Sequence, residues 1–120
     1  INDDTLKQLK VDIICGAANN QLARSEHGRI LADRKILYAP DYVVNAGGVI
    51  AVAYEYFHRN KLTPFGRPVT REAMVQHVEG IGDTLKRVLN ISESRGVTTA
   101  EAADELAEDI FRKRARAGNA

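Results

Sequence analysis

The chain has 120 residues, enough for one domain with a small core. Hydrophobic residues at 44% and charged residues at 28% are the balance of a globular chain, which excludes a disordered polyelectrolyte. A net charge of +1 creates no basic field, so neither nucleic acid nor an anionic membrane is an expected partner.

In chain order, Asp3 is the predicted cap of a short helix that carries Leu6 and Leu9 on one side. Val11 to Cys15 is rich in β-branched residues and reads as a strand, with Cys15 buried in it. Gly16-Ala17-Ala18-Asn19-Asn20 is a turn of small and polar residues at the strand's carboxyl end. Ser25 starts a helix with Ile30 and Leu31 facing inward. Ile36-Leu37-Tyr38 is a second strand, ended by Ala39-Pro40-Asp41. Helix, strand, helix, strand in this order predicts an α/β fold with parallel βαβ connections, right-handed where they cross over. Ligands of such sheets bind beyond the carboxyl ends of the strands, where Asn19-Asn20 and the polar stretch Asp41 to Asn45 both fall.

Beyond residue 45 the pattern turns helical. One helix runs from after Asn45 to about Arg59, with Val49, Val52, Ala53, Tyr56 and Phe57 at helical spacing. Pro64, Gly66 and Pro68 make residues 60–69 a loop. Thr70 caps the next helix, whose stripe is Val75, Val78, Ile81, Leu85, Val88 and Leu89, and Gly96 ends it. Thr98 and Glu101 form a capping box for the last helix, which turns Ala103, Leu106, Ala107, Ile110 and Phe111 inward. Residues 1–45 are thus the βαβ portion and 46–120 the C-terminal helices. Arg112, Lys113, Arg114 and Arg116 read as a solvated helix end.

Cys15 is the single cysteine, so there is no internal disulfide, which fits a reducing, cytoplasmic compartment. No run is long and apolar enough to span a membrane. His27, His58 and His77 share no ligand spacing, so no metal site is expected. Triads, a P-loop and G-x-G-x-x-G are all missing from these residues.

Two segments could carry chemistry. In Asn45-Ala46-Gly47-Gly48 the asparagine is an ordinary cap, but each glycine inside a helix costs about 1 kcal/mol. Either a ligand approaches the backbone closely or a neighbouring helix packs tightly there, and the residues weigh these equally. In Gly16 to Asn20 the amides can serve a ribose or a carboxamide, although a bare asparagine pair is more often an Asx turn.

Gly16 to Leu22 and the long run Leu37 to Ile50 resemble the leucine, valine and phenylalanine dehydrogenases of the Glu/Leu/Phe/Val dehydrogenase family. Ile1 to Thr5, Gly82-Asp83-Thr84, Gly96-Val97-Thr98 and Glu101 to Asp104 are similar to the same family. The resemblance implies the C-terminal half of a Rossmann-type NAD-binding domain followed by three helices. It implies NAD as cofactor and reversible oxidative deamination of an L-amino acid to the 2-oxo acid and ammonia, in a homo-oligomer. By that resemblance Asn19 contacts the nicotinamide ribose, and Ala17 and Ala18 line the same wall. Asn45 sits beside the nicotinamide and hydrogen-bonds the substrate's amino-acid head, while Val49 and Val52 line its side-chain pocket. Two valines offer no partner to a second carboxylate, whose burial would be costly, so a branched-chain substrate is expected.

The family's catalytic Lys and Asp and its phosphate-binding glycines are expected before Ile1, and no residue of this chain is assigned a catalytic role. Lys7, Lys10 and Asp12 stand in no matching context. The chain starts without Met and is expected to be a piece that is inactive alone and pairs with a second copy through its open sheet edge or by helix exchange. The alternative is a non-catalytic nucleotide-binding or assembly module of the same descent. Two features depart from the family pattern: a longer loop from His58 to Val69, and Tyr54 where an acidic residue is usual.

Overall fold

Asn2, one residue ahead of the predicted cap, opens the first helix, α1 (Asp3–Gln8). Its backbone is extended, as a cap requires, and its Oδ1 accepts the amides of Asp4 and Thr5 at 3.1 and 2.9 Å. Asp3 therefore lies inside the first turn, where its charge suits the helix dipole. The structure is a computed structural model that describes residues 1–118, without the side chains at 65, 114 and 116–118.

The two predicted strands form a parallel pair, β1 (Ile13–Ile14) and β2 (Leu37–Tyr38), joined across α2 (Glu26–Asp33). Ile13 pairs with Leu37 and Ile14 with Tyr38. Alternation then fixes the faces. Ile14 and Tyr38 pack with Leu6, Leu31 and Ile36, while Ile13 and Leu37 stand exposed on the other face. Cys15 shares the parity of Ile13 and is exposed, not buried as the apolar run suggested. Ile30 also turns outward, leaving Leu31 as the fully buried residue of α2. His27 is buried beside it. Its Nδ1 accepts the Arg24 amide at 3.1 Å, and its Nε2 lies 3.2 Å from Asp3, which Arg24 also grips. Arg34 donates to the carbonyls of Leu6 and Leu9, capping the end of α1.

The stretch expected as a polar cluster is a short helix, α3 (Asp41–Val44), followed directly by α4 (Gly47–Arg59). A 3₁₀ turn at Pro64–Gly66 occupies the loop. Next come α5 (Arg71–Arg95), capped by Thr70 and ended by Gly96 at φ 67°, and α6 (Thr99–Gly118). The capping box is formed: the Glu101 amide donates to Thr98 Oγ1 at 3.2 Å and the Thr98 amide to Glu101 Oε2 at 2.7 Å. A second core, Val88 with Ala102, Ala103 and Leu106, lies between α5 and α6. Val75, Ala107, Ile110 and Phe111, predicted to face inward, are exposed. Ala107 and Ile110 line an open groove among α4, α5 and α6, and Phe111 is 74% exposed.

The two cores are tied together. Thr99 Oγ1 donates to the Tyr38 carbonyl at 2.6 Å, and the Tyr42 hydroxyl bonds Ala100 and Asp104, both at 3.1 Å. Among the described residues no helix is long and apolar enough to cross a membrane.

Candidate functional site

The site lies where both strands end. β1 runs into the turn Gly16 to Asn20, and β2 runs through Ala39-Pro40 into Asp41. Asp41 is buried at 5% exposure, and its two carboxylate oxygens do different work. Oδ1 accepts the Tyr38 hydroxyl at 2.5 Å, and Oδ2 accepts the Asn20 amide at 2.9 Å. Burial pushes the Asp41 carboxyl up, but the Tyr38 hydroxyl and neighbouring amides outweigh it and hold the group below the usual carboxylate range. Tyr38 responds the other way: burial, then the Asp41 carboxylate, raises its phenol to about 12. Asn20 sits at φ 53°, a left-handed conformation that Asn tolerates better than most residues.

On the opposite side of the turn, Asn45 closes α3, its amide donating to the Asp41 carbonyl at 2.8 Å. Its side-chain Nδ2 donates to Asn19 Oδ1 at 2.6 Å and reaches the Ala17 carbonyl at 3.5 Å. Ala17, Asn19 and Asn45, residues up to 28 apart in sequence, thus meet in one cluster, with Ala18 exposed in the same turn. Asn19 Nδ2 and Asn45 Oδ1 have no partner among the described residues, leaving one donor group and one acceptor for a ligand. That donor set fits a ribose hydroxyl or a carboxamide. Carboxamides do not titrate near neutrality, so this cluster can orient a ligand but not move a proton.

Val49 and Val52 follow on α4, 71% and 66% exposed, with Tyr56 on the same face. The other face meets α5. A Cβ on Gly47 would lie 3.6 Å from Val78 and 3.9 Å from Ile81, ordinary contact distances, and one on Gly48 would meet nothing within 4 Å. Tight helix packing therefore explains neither glycine. Tyr54 points to the α5 side, with its hydroxyl 3.4 Å from the Ala73 carbonyl and its ring edge-on to His77. It belongs to the helix contact and not to the exposed valine face. The groove of about 770 Å³ among α4, α5 and α6 is lined by neither asparagine and neither valine. Among the described residues, no group of three or more His, Cys, Asp or Glu is placed to hold a metal ion.

The sequence reading named both asparagines but missed what holds them. Tyr38 and Asp41, three residues apart around Pro40, were legible as a strand end followed by a turn. Their mutual bond and the reach of Asp41 to Asn20 depend on tertiary folding.

Residues 1–117 match the family model for Glutamate/Leucine/Phenylalanine/Valine dehydrogenase. The chain belongs to this family. It is 47% identical over 109 residues to a leucine dehydrogenase of Bacillus cereus, covering 91% of this chain and 27% of that protein. It is 42% identical over 116 residues to a phenylalanine dehydrogenase of Caldalkalibacillus thermarum, covering 97% and 29%. The crystal structure of L-tryptophan dehydrogenase from Nostoc punctiforme superposes with a TM-score of 0.80 at 40% identity, over 96% of this chain and 32% of that one. The chain spans less than a third of the length of each of these relatives. Its relatives within the family are amino-acid dehydrogenases, which are oxidoreductases, and its mixed α/β fold with a small parallel sheet is similar to a dehydrogenase structure.

Proposed function

We propose that the chain is the C-terminal half of a Rossmann-type NAD-binding domain, with α4 to α6 following it, in an NAD-dependent amino-acid dehydrogenase. The reaction is reversible oxidative deamination: amino acid, NAD and water give the 2-oxo acid, ammonia, NADH and a proton. The observation that carries the reading is the Asn45–Asn19 hydrogen bond, 2.6 Å, at the carboxyl ends of two parallel strands. Asn19, with Ala17 and Ala18 beside it, is suited to the ribose next to the nicotinamide. Asn45 can serve the nicotinamide side and the substrate's amino-acid head at once. When bound, NAD supplies hydride acceptance from the substrate's α-carbon. The residues here bind and orient, and the family's catalytic Lys and Asp are assigned to no residue of this chain. Gly48, with open space where a Cβ would be, supports a close backbone approach there.

Val49 and Val52 support an aliphatic, branched-chain substrate of leucine or valine type. Their exposed face offers apolar contact and no charge partner. We further propose a cytoplasmic homo-oligomer, and that the isolated 120-residue chain is inactive. Each strand of the two-stranded sheet has a single strand neighbour among the described residues, which supports pairing of the isolated chain with a second copy through an open edge or by helix exchange, and a monomer by light scattering at high concentration would exclude that.

The test follows NADH absorbance with the complete enzyme, offering leucine, valine, phenylalanine, tryptophan and glutamate in turn. Turnover of the branched-chain substrates is expected. Turnover of glutamate or an aromatic substrate alone would keep the dehydrogenase and discard the valine pocket. A folded enzyme that binds NADH yet turns over none of them would favour a non-catalytic module.

A further inference from the structure

Asn19 and Asn45 can act together only if two separate chain segments hold them at a fixed spacing. Asn19 sits in an exposed turn after β1, and Asn45 lies at the end of the four-residue α3. Neither segment is packed into the core by its own side chains: residues 17–20 are all exposed, and Asn45 is half-buried. One buried residue bonds to both. The carboxylate of Asp41 takes the Asn20 amide at 2.9 Å, next door to Asn19, and its carbonyl takes the Asn45 amide at 2.8 Å. Its second carboxylate oxygen is anchored by the Tyr38 hydroxyl at 2.5 Å, and Tyr38 is core, 3% exposed. The Tyr38 carbonyl is held in turn by Thr99 at 2.6 Å.

We propose that Asp41 is the positioning residue of this site: it ties the Asn19 turn and the Asn45 end of α3 to the Tyr38 core, and so sets the spacing of the two asparagines. The inference rests on the proposed role of those asparagines on the nicotinamide side. Asp41 itself touches no ligand. Its oxygens are both engaged, and it is buried behind the turn. Asparagine at this position has one acceptor oxygen and can keep the Asn20 bond, its NH₂ then donating to a Tyr38 oxygen turned to accept. Alanine keeps the backbone bond to Asn45 and loses both others.

The experiment uses the complete enzyme with Asp41→Ala, Asp41→Asn and Tyr38→Phe, and with Leu31→Ala as a variant destabilised away from the site. Two readouts are taken on each folded protein: kcat and KM with NADH affinity, and backbone hydrogen exchange across residues 17–20. Misplacing an orienting group by about an ångström costs on the order of 10²-fold. Asp41→Ala should lose about that in kcat/KM and speed exchange at Asn20 on the order of tenfold. Asp41→Asn should fall between it and the wild type. Tyr38→Phe, which loses the anchor to the core but leaves the Asn20 bond in place, should fall between Asp41→Ala and Asp41→Asn. Asp41→Asn can keep both bonds and should show the smallest change of the three. Leu31→Ala should lower Tm without this kinetic pattern.

If Asp41→Ala does not fold, the order of the other two site variants decides the matter. Asp41 variants that lose Tm while keeping wild-type kinetics and exchange overturn the tether and make Asp41 merely structural. A wild-type enzyme that neither binds NADH nor turns over defeats the functional reading instead, and exchange at Asn20 then judges the tether alone.

Discussion

The α/β region, residues 1–45, closes its core with large side chains and buried polar groups. The helical region beyond it closes its core with small ones. Leu6, Leu31, Ile36 and Tyr38 fill the first, beside His27 and Asp41, whereas Val88, two alanines and Leu106 fill the second. Small residues let α5 and α6 approach closely and ask little of any one side chain. The first region has only two short strands to organise it, and it fixes its loops with specific hydrogen bonds. Its polar contacts therefore carry position, which a ligand site at strand ends needs. The helical core spreads its stability over many small contacts.

The most disruptive test of that contrast is Leu31→Ala. Leu31 is fully buried, and the loss should be about 2–5 kcal/mol, read as a shifted denaturation midpoint of the complete enzyme. Val88→Ala, equally buried, removes two carbons from a core of small residues and should cost roughly 2 kcal/mol. If it costs more than Leu31→Ala, the contrast is reversed. Thr98→Ala breaks the cap of α6 and should cost about 1 kcal/mol.

A pH titration separates the regions further. Asp3, through Arg24 and His27, and Asp41, through the bonds described above, are both held below the ordinary carboxylate range. A lowered folded pKa adds stability that is complete above the unfolded value, about 4, and is lost as pH falls through the folded one. Tyr38 is raised to about 12, so its contribution is complete below the unfolded value of 10.0 and is lost as pH rises toward about 12. Protection against exchange in residues 1–45, corrected for the intrinsic pH dependence of amide exchange, should therefore fall at both extremes. Glu101, lowered by its bonds to Thr98, gives α6 an acid-sensitive end as well. Tyr38→Phe should flatten the alkaline limb. An alkaline limb unchanged in that variant would contradict the assignment.

Smallest in stability is Val52→Ser, expected within about 0.5 kcal/mol because the residue is 66% exposed in this chain. Its effect belongs to turnover: leucine and valine activity should drop. Unchanged branched-chain turnover would remove Val52 from the pocket.

Element types were largely legible, because helix and strand periodicities and the Thr70, Gly96 and Thr98 signals are local. Faces were less so. Ile30, Ile110 and Phe111 look inward by hydrophobicity, yet a face is buried only where a partner stands, and among the described residues these three stay exposed. Cys15 misled for the same reason: a continuous apolar run suggests a strand covered on both sides, and here one side is open.

The sequence by itself determined the parallel strand–helix–strand order, the caps of α5 and α6, and the family, through Gly16 to Leu22 and Leu37 to Ile50. Each of these is written in contiguous residues. Tertiary structure decided that Asn19 and Asn45 bond to each other, that Asp41 holds both segments, and that Gly47 and Gly48 are not demanded by packing. The two bonds depend on distances between residues more than twenty positions apart, set only when the crossover through α2 brings the two strand ends together, and the glycine result depends on how α5 lies against α4.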